Sequence, residues 1–254
     1  GDAAGMGASG SLATGPGQGG PYQACALGGN VAVTGNVPSV IRAEPGTHNG
    51  VHLAFNAAAG VLRTFRVEDV TGDAAADLTV SAALLESSHT GNSAGLIKTG
   101  AGTMALVGAT NIYSGATVVS NGTLLVSGGG MTNSAVAGLS GAAFGVADAT
   151  AAPRVASLSF QEGARAVWRY DGEERTAGRI DVTGVLTLPA AATLEIGGTG
   201  FLYSGQKVFS AGGLAGASAL DGWTVTGTPD PAKLRIVGND VVLMLYRGTQ
   251  IRIR

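Results

Sequence analysis

Short apolar alternations run through residues 30–254, each broken after a few positions by Gly, Asn, Asp, Ser or Pro. Val31-x-Val33, Val40–Ile41 and Val51-x-Leu53-x-Phe55 open the series. Leu158-x-Phe160, Ala166–Trp168, Ile180-x-Val182, Leu186-x-Leu188, Leu194-x-Ile196, Trp223-x-Val225, Leu234-x-Ile236 and Val241-x-Leu243-x-Leu245 continue it. A period of two bounded by turn residues predicts many short strands. Val61–Val70 has a mixed period. Asp73–Ser88 mixes helix-favouring Ala and Leu with a Leu78-x-Val80 alternation between glycines, and is read as strand. The small-residue stretch from Gly128 to Pro153 is read as a loop or an irregular rung.

The densest passage is Gly95–Ser127, GLIKTGAGTMALVGATNIYSGATVVSNGTLLVS. Its strands at Met104–Leu106, Val118–Val119 and Leu124–Val126 are too short to bury an apolar face alone. Such a unit needs a similar rung above and below it, which predicts a stacked architecture. Gly184-Val-Leu-Thr-Leu echoes Gly122-Thr-Leu-Leu-Val and hints at a further, degenerate rung. Rungs of about 20–25 residues spaced near 4.8 Å give about ten rungs and a rod on the order of 50 Å long.

Leu96, Lys98, Gly100, Gly102 and Thr103, then Leu106, Gly108, Asn111, Tyr113, Gly115, Thr117, Val118, Gly122, Thr123, Leu124 and Val126, resemble the passenger-associated (autotransporter-associated) β-strand repeat. Met104 stands where Leu is usual in that family, and Ala116 where Gly is usual. The resemblance implies a bacterial extracellular β-helix, hence export and a structural role. It supplies no catalytic residues.

Composition narrows the picture further. Of 254 residues 43 are Gly, 13% are charged and 5% aromatic, yet 45% are apolar. A disordered chain would be richer in charge, whereas many tight turns call for Gly. The formal net charge of −2 leaves no general basic field, so no nucleic-acid partner is expected. Arg247, Arg252 and Arg254 in the tail are read as solvated charges blunting an edge strand. No run reaches the ~18 apolar residues of a membrane-spanning helix. Cys25 is the one cysteine, so no intramolecular disulfide forms. The chain begins at Gly1 without Met, which fits a processed N-terminus from which a signal peptide has been removed, or an excerpt of a longer chain. Residues 1–29 carry a single charge, Asp2, and read as a Gly/Ala-rich arm. Ordering such an arm costs roughly 1–2 kcal/mol per residue, so its own domain or a neighbouring copy must hold it.

Candidate chemistry is sparse. Gly100-x-Gly102-x-x-Ala105 has the form of a dinucleotide fingerprint, but a strand and a turn follow it instead of a helix. Asp171, Glu173 and Glu174 beside Arg169, Arg175 and Arg179 offer carboxylates for Ca²⁺ or acid–base work, although mixed signs suit a solvated hairpin tip. Asp69, Asp73 and Asp77 would align only on a helix. His48-x-x-x-His52 would make a metal pair only on a helix, and His89 is the third histidine. Cys25 sits in the arm, a poor place for a nucleophile. Asn121-Gly122-Thr123 fits the glycosylation pattern and equally the repeat's own turn. Trp168, Tyr170, Tyr203, Trp223 and Tyr246 line a sugar groove or fill the core. The charged residues fall in separate turns and not in register along one strand ladder, which disfavours an enzyme.

The expectation is therefore an all-β protein: a right-handed parallel β-helix or β-solenoid over 30–254 with a Gly-rich N-terminal arm over 1–29. The clear repeat spans 95–127, and 154–254 forms degenerate rungs or a cap. No catalytic, cofactor-binding or metal-binding residue is assigned. The expected function is non-catalytic and structural, at the cell surface or outside the cell. Copies would associate into a fibre through open β-edges, such as the apolar run Val241–Leu245 with Ile251 and Ile253, and through the arm. A surface adhesin binding glycans is the alternative, and a β-helical polysaccharide lyase or hydrolase the second.

Overall fold

The computed structural model describes residues 4–6, 11–14, 25–43, 50–54, 59–87, 93–108, 111–128, 130–216, 220–228 and 230–246. Every regular element among them is a strand. One sheet stacks β1 (Ala4–Met6), β4 (Val31–Val33), β7 (Val61–Val67), β10 (Ala94–Thr99), β12 (Thr117–Val119), β14 (Gly130–Gly138), β16 (Arg154–Phe160), β19 (Ile180–Leu188) and β21 (Gln206–Gly216). It closes with β24 (Asp240–Leu245) and then β23 (Ala232–Val237). A second sheet stacks β2 (Ser11–Thr14), β5 (Ser39–Ala43), β8 (Leu78–Val80), β11 (Thr103–Leu106), β13 (Thr123–Val126), β15 (Ala143–Val146), β17 (Arg165–Asp171), β20 (Thr193–Thr199) and β22 (Thr224–Thr226). The third holds β3 (Cys25–Ala26), β6 (Gly50–Ala54) and β9 (Ala83–Ser87). A two-residue strand, β18 (Thr176–Ala177), folds back on β17 as a hairpin.

The stack is a parallel β-helix. Along the second sheet Leu78, Met104, Leu124, Phe144, Ala166, Leu194 and Val225 stand in one row. On the first sheet Leu96, Thr117, Val136, Leu158, Leu186 and Leu214 form another. Period-two alternation turns these residues inward on every rung, so the core is a set of like-on-like ladders. The third face continues past β9 without separate strands. The Ile112 amide donates to the Leu84 carbonyl (3.0 Å), and Asn111 bridges to Met131. From there the leading halves of β14, β16, β19 and β21 carry that face. They turn the corner into the first sheet at register shifts between Met131 and Ala135, Val155 and Leu158, and Val182 and Val185.

Rung length departs from the even 20–25 residues expected. Leu124 lies twenty residues from its partners Met104 and Phe144, whereas Val40 pairs with Thr79, thirty-nine residues on. Register is set where one face is buried, while the corners absorb insertions. Gly128–Pro153 is also more regular than its composition suggests, holding β14 and β15. Its Met131, Val136, Phe144 and Val146 are buried, so a few apolar residues among Ala, Ser and Gly are enough to anchor the rung. Gly184-Val-Leu-Thr-Leu does form part of a rung, but on the first sheet, whereas Gly122-Thr-Leu-Leu-Val leads into the second. The echo is therefore not positional.

The apolar run Val241–Leu245 is not the open edge expected of it. It is β24, an interior strand paired antiparallel to β21 on one side and to β23 on the other. Its Val241 and Leu243 are fully buried. Among the described residues the edge is β23, whose Lys233 and Arg235 are exposed and which follows Pro231. Charge and Pro at an edge strand oppose further pairing. The tail residues Arg247, Ile251, Arg252, Ile253 and Arg254 lie outside the described residues, as do His48, His89 and most of the arm. Three pieces of the 1–29 segment are described. β1, β2 and β3 each pair parallel with the following rung.

Candidate functional site

The repeat places its polar residues inward. Lys98 stands in the row Val31–Phe65–Lys98–Val119, so its stem is packed between apolar neighbours and the residue is fully buried. Its Nζ donates to the carbonyls of Thr99 (2.9 Å), Gly100 (2.8 Å) and Asn121 (3.1 Å). All three ammonium protons are thus used to tie the turn of one rung to the turn of the next. Burial pulls its pKa down from 10.5 to about 8, while Asp77 and Glu68 push it up. The signal was present in the sequence: Lys98 has the same parity as Leu96.

Asp77 is buried too and accepts four bonds. Its Oδ1 takes the Val70 amide (2.8 Å), the Thr71 amide (2.9 Å) and the Thr71 hydroxyl (2.9 Å), and its Oδ2 takes the Thr103 amide (2.7 Å). Asp69 and Asp73 instead close local turns onto Gly72 and Ala75, because the segment is a bent loop and not a helix. The three aspartates therefore do not converge. Glu86 and Glu162 repeat Asp77's device. Glu86 accepts the Ala94 and Ser114 amides, and Glu162 those of Ala190 and Ala191. These carboxylates tie turns together, a role that sequence spacing hides because the partners are 6 to 29 residues away.

Above Lys98 lies a buried hydroxyl chain. Tyr113 Oη is 2.7 Å from Thr117 Oγ1 and donates to Met131 Sδ (2.9 Å). Thr117 Oγ1 is 2.8 Å from Ser134 Oγ, which donates to the Gly115 carbonyl (2.7 Å). Desolvation drives the Tyr113 pKa far up, against the pull of Thr117 and Ser134. Asn111 Oδ1 accepts the Leu84 amide (2.8 Å) and its Nδ2 donates to the Gly130 carbonyl (3.4 Å), spanning three rungs. Gly115 must be Gly because a Cβ there would sit 2.3 Å from the Ala94 carbonyl oxygen.

The other sequence candidates are scattered. Asp171 Oδ1 accepts the Glu173 and Glu174 amides at the tip of the β17–β18 hairpin, and Arg175 lies over the Tyr203 ring (5.6 Å). Arg169 is half-buried; burial lowers its pKa against the pull of Glu195. Trp168, Tyr170 and Trp223 are buried, with Trp168 donating to the Gly178 carbonyl and Trp223 to Pro189 (3.1 Å). Tyr203 is half-buried and Tyr246 exposed, so the five aromatics do not form one groove. His52 Nδ1 lies 3.0 Å from the Glu86 carbonyl oxygen. Asn121 Oδ1 accepts the Gly122 amide within the turn. Gly100 and Gly102 lead into β11, a strand. Among the described residues no three His, Cys, Asp or Glu side chains are grouped to hold a metal ion.

One outward row was not foreseen. Arg154, Asp181, Ser210 and Asp240 are in register across β16, β19, β21 and β24. The expectation that charges fall only in separate turns is thereby corrected. The strands bring together residues up to 86 positions apart, which no local spacing reveals. Arg179 binds Asp181 (2.8 and 3.4 Å). Lys207 binds Asp240 (2.7 Å), whose other oxygen accepts from Ser210 (2.7 Å). Those two bonds, Lys207's first, hold the Asp240 carboxyl below its usual value, and the bond to Asp181 raises Arg179. Arg154, Arg179, Asp181, Thr183, Ser210 and Gly212 line a shallow open groove here. Both carboxylates are paired with cations, so the row offers hydrogen bonds and charge.

Residues 96–126 match the family model described as the passenger-associated-transport-repeat. No curated protein shows a significant match to the chain. A repeat of this type is that of autotransporter passenger-type proteins and implies an exported or surface protein. Among the described residues no helix is long and apolar enough to cross a membrane.

Proposed function

We propose, for a chain that carries one passenger-associated transport repeat, a non-catalytic structural role at the cell surface or outside the cell. The observation that carries this reading is the use made of the repeat's polar residues. Lys98, Asn111, Tyr113 and Thr117 are buried and each bonds to a neighbouring rung, through Asn121, Leu84 and Gly130, Met131 and Ser134 respectively, so that none of them stands at a surface where a substrate could meet it. Self-association is the finer part of the proposal. The hairpin β23–β24, with Lys233 and Arg235 on its edge strand, opposes growth at one end. At the other, β1, β2 and β3 each have a partner on one side only among the described residues, and a second copy is the proposed occupant. This favours a closed pair over the open fibre anticipated from the sequence. Sedimentation velocity of the full chain against a chain lacking residues 1–28 tests it. A concentration-dependent dimer that becomes a monomer on deletion supports pairing through this end. Identical association of both chains rules it out.

A further inference from the structure

The geometry points to the outward face of β16, β19, β21, β24 and β23 as a binding surface for a carboxylate-bearing polysaccharide laid across the strands. The row Arg154–Asp181–Ser210–Asp240 continues on the same face into β23. Lys207 and Arg235 both pair with Val242, and Lys233 pairs with Met244. Val242 and Met244 share the parity of Asp240, so these cations point the same way as the row. Five cations, Arg154, Arg179, Lys207, Lys233 and Arg235, therefore stand against two carboxylates, Asp181 and Asp240, in a chain whose formal net charge is −2.

Both carboxylates are already neutralised by Arg179 and Lys207. The side chains of Arg154, Lys233 and Arg235 make no hydrogen bond or ion pair among the described residues and are exposed. An arginine that is free and exposed is a fork ready for a bidentate carboxylate. Between the cations the groove holds the Thr183 and Ser210 hydroxyls, which donate to the Val155 carbonyl and to Asp240 and keep lone pairs that can accept from sugar hydroxyls. Neighbouring strands lie about 4.8 Å apart, close to the length of one pyranose unit, so a glycan crossing the strands meets a new row with each sugar. A single-stranded nucleic acid would also be anionic, but it needs aromatic platforms for its bases, and none of these paired positions is aromatic.

The test is a titration of the full chain with polygalacturonate, its fully methyl-esterified form and an oligothymidylate, each at about 50 and about 200 mM salt. Polygalacturonate is expected to bind, more weakly at the higher salt, and the neutral ester not to bind. The double variant Arg154→Gln/Arg235→Gln removes two exposed side chains without bonds. It should keep the wild-type melting temperature while binding polygalacturonate about tenfold or more weakly. Arg154→Gln/Lys233→Gln provides a second pair should the first melt early. The proposal is overturned by absence of polygalacturonate binding, by equal binding of the ester, by folded variants that bind like wild type, or by tighter binding of the oligothymidylate. Dimerisation through β1–β3 is read separately and stands or falls by itself.

Discussion

Lys98 shows how a residue type that belongs at a surface becomes an internal fastener. Replacing it with Met keeps the apolar stem but leaves three carbonyls, those of Thr99, Gly100 and Asn121, without their donor. Chemical denaturation of Lys98→Met should show a loss of about 2–4 kcal/mol. The pH dependence has a definite sign. The folded pKa, about 8, lies below the ordinary lysine value, so the unfolded chain holds this proton more tightly. Lys98 therefore adds to stability as pH rises from about 8 towards its unfolded value, and contributes no slope below that window. The stability gap between wild type and Lys98→Met should widen between pH 8 and pH 10; a gap constant with pH would refute this assignment. Tyr113→Phe, which removes a hydroxyl bonded to Thr117 and Met131, should cost about 1 kcal/mol in the same assay. Parity with Leu96 made Lys98's inward direction legible. Its carbonyl partners were not, since Asn121 belongs to the next rung.

At the scale of the element, each strand here is too short to persist alone, and the turns decide where the next one begins. Gly115→Ala should be severe because its Cβ would overlap the Ala94 carbonyl on the rung below. A loss of about 2 kcal/mol or more is expected. Gly141, whose φ is 76° and where an added Cβ would meet nothing within 4 Å, supplies the contrast. There Ala should cost about 1 kcal/mol, the left-handed backbone alone. Thermal melts of the two variants separate inter-rung crowding from backbone strain, and equal losses would show that crowding is not the determinant. Strand existence could be read from alternation at Val31-x-Val33, Leu194-x-Ile196 and Leu234-x-Ile236. β14 and β15 could not, because Ala, Ser and Gly carry little period-two signal. Their strand character comes from the ladders on either side.

For the whole molecule, stability is a sum over rungs and their interfaces, and among the described residues the last edge strand, β23, carries Lys233 and Arg235, charges that oppose further pairing. A chain ending at Thr228 loses β23 and β24, exposing the strand β21 and the apolar side chains that Val241 and Leu243 cover. Light scattering should show it forming large aggregates where the full chain does not, and a soluble truncated chain would mean that the hairpin is no cap. The amino-acid sequence determined that this protein is built of short strands, that they stack, and that one unit is a passenger-type repeat. Those properties depend on periodicity and turn chemistry within a few residues. Only the tertiary structure decided which strand is interior and which is the edge, and which charges share a face. Arg154, Asp181, Ser210 and Asp240 lie about one rung apart in space but 27 to 30 residues apart in the chain. Rung lengths are set by corner insertions that carry no hydrophobic period. Register between distant strands is therefore a property of the packed stack and not of any local segment.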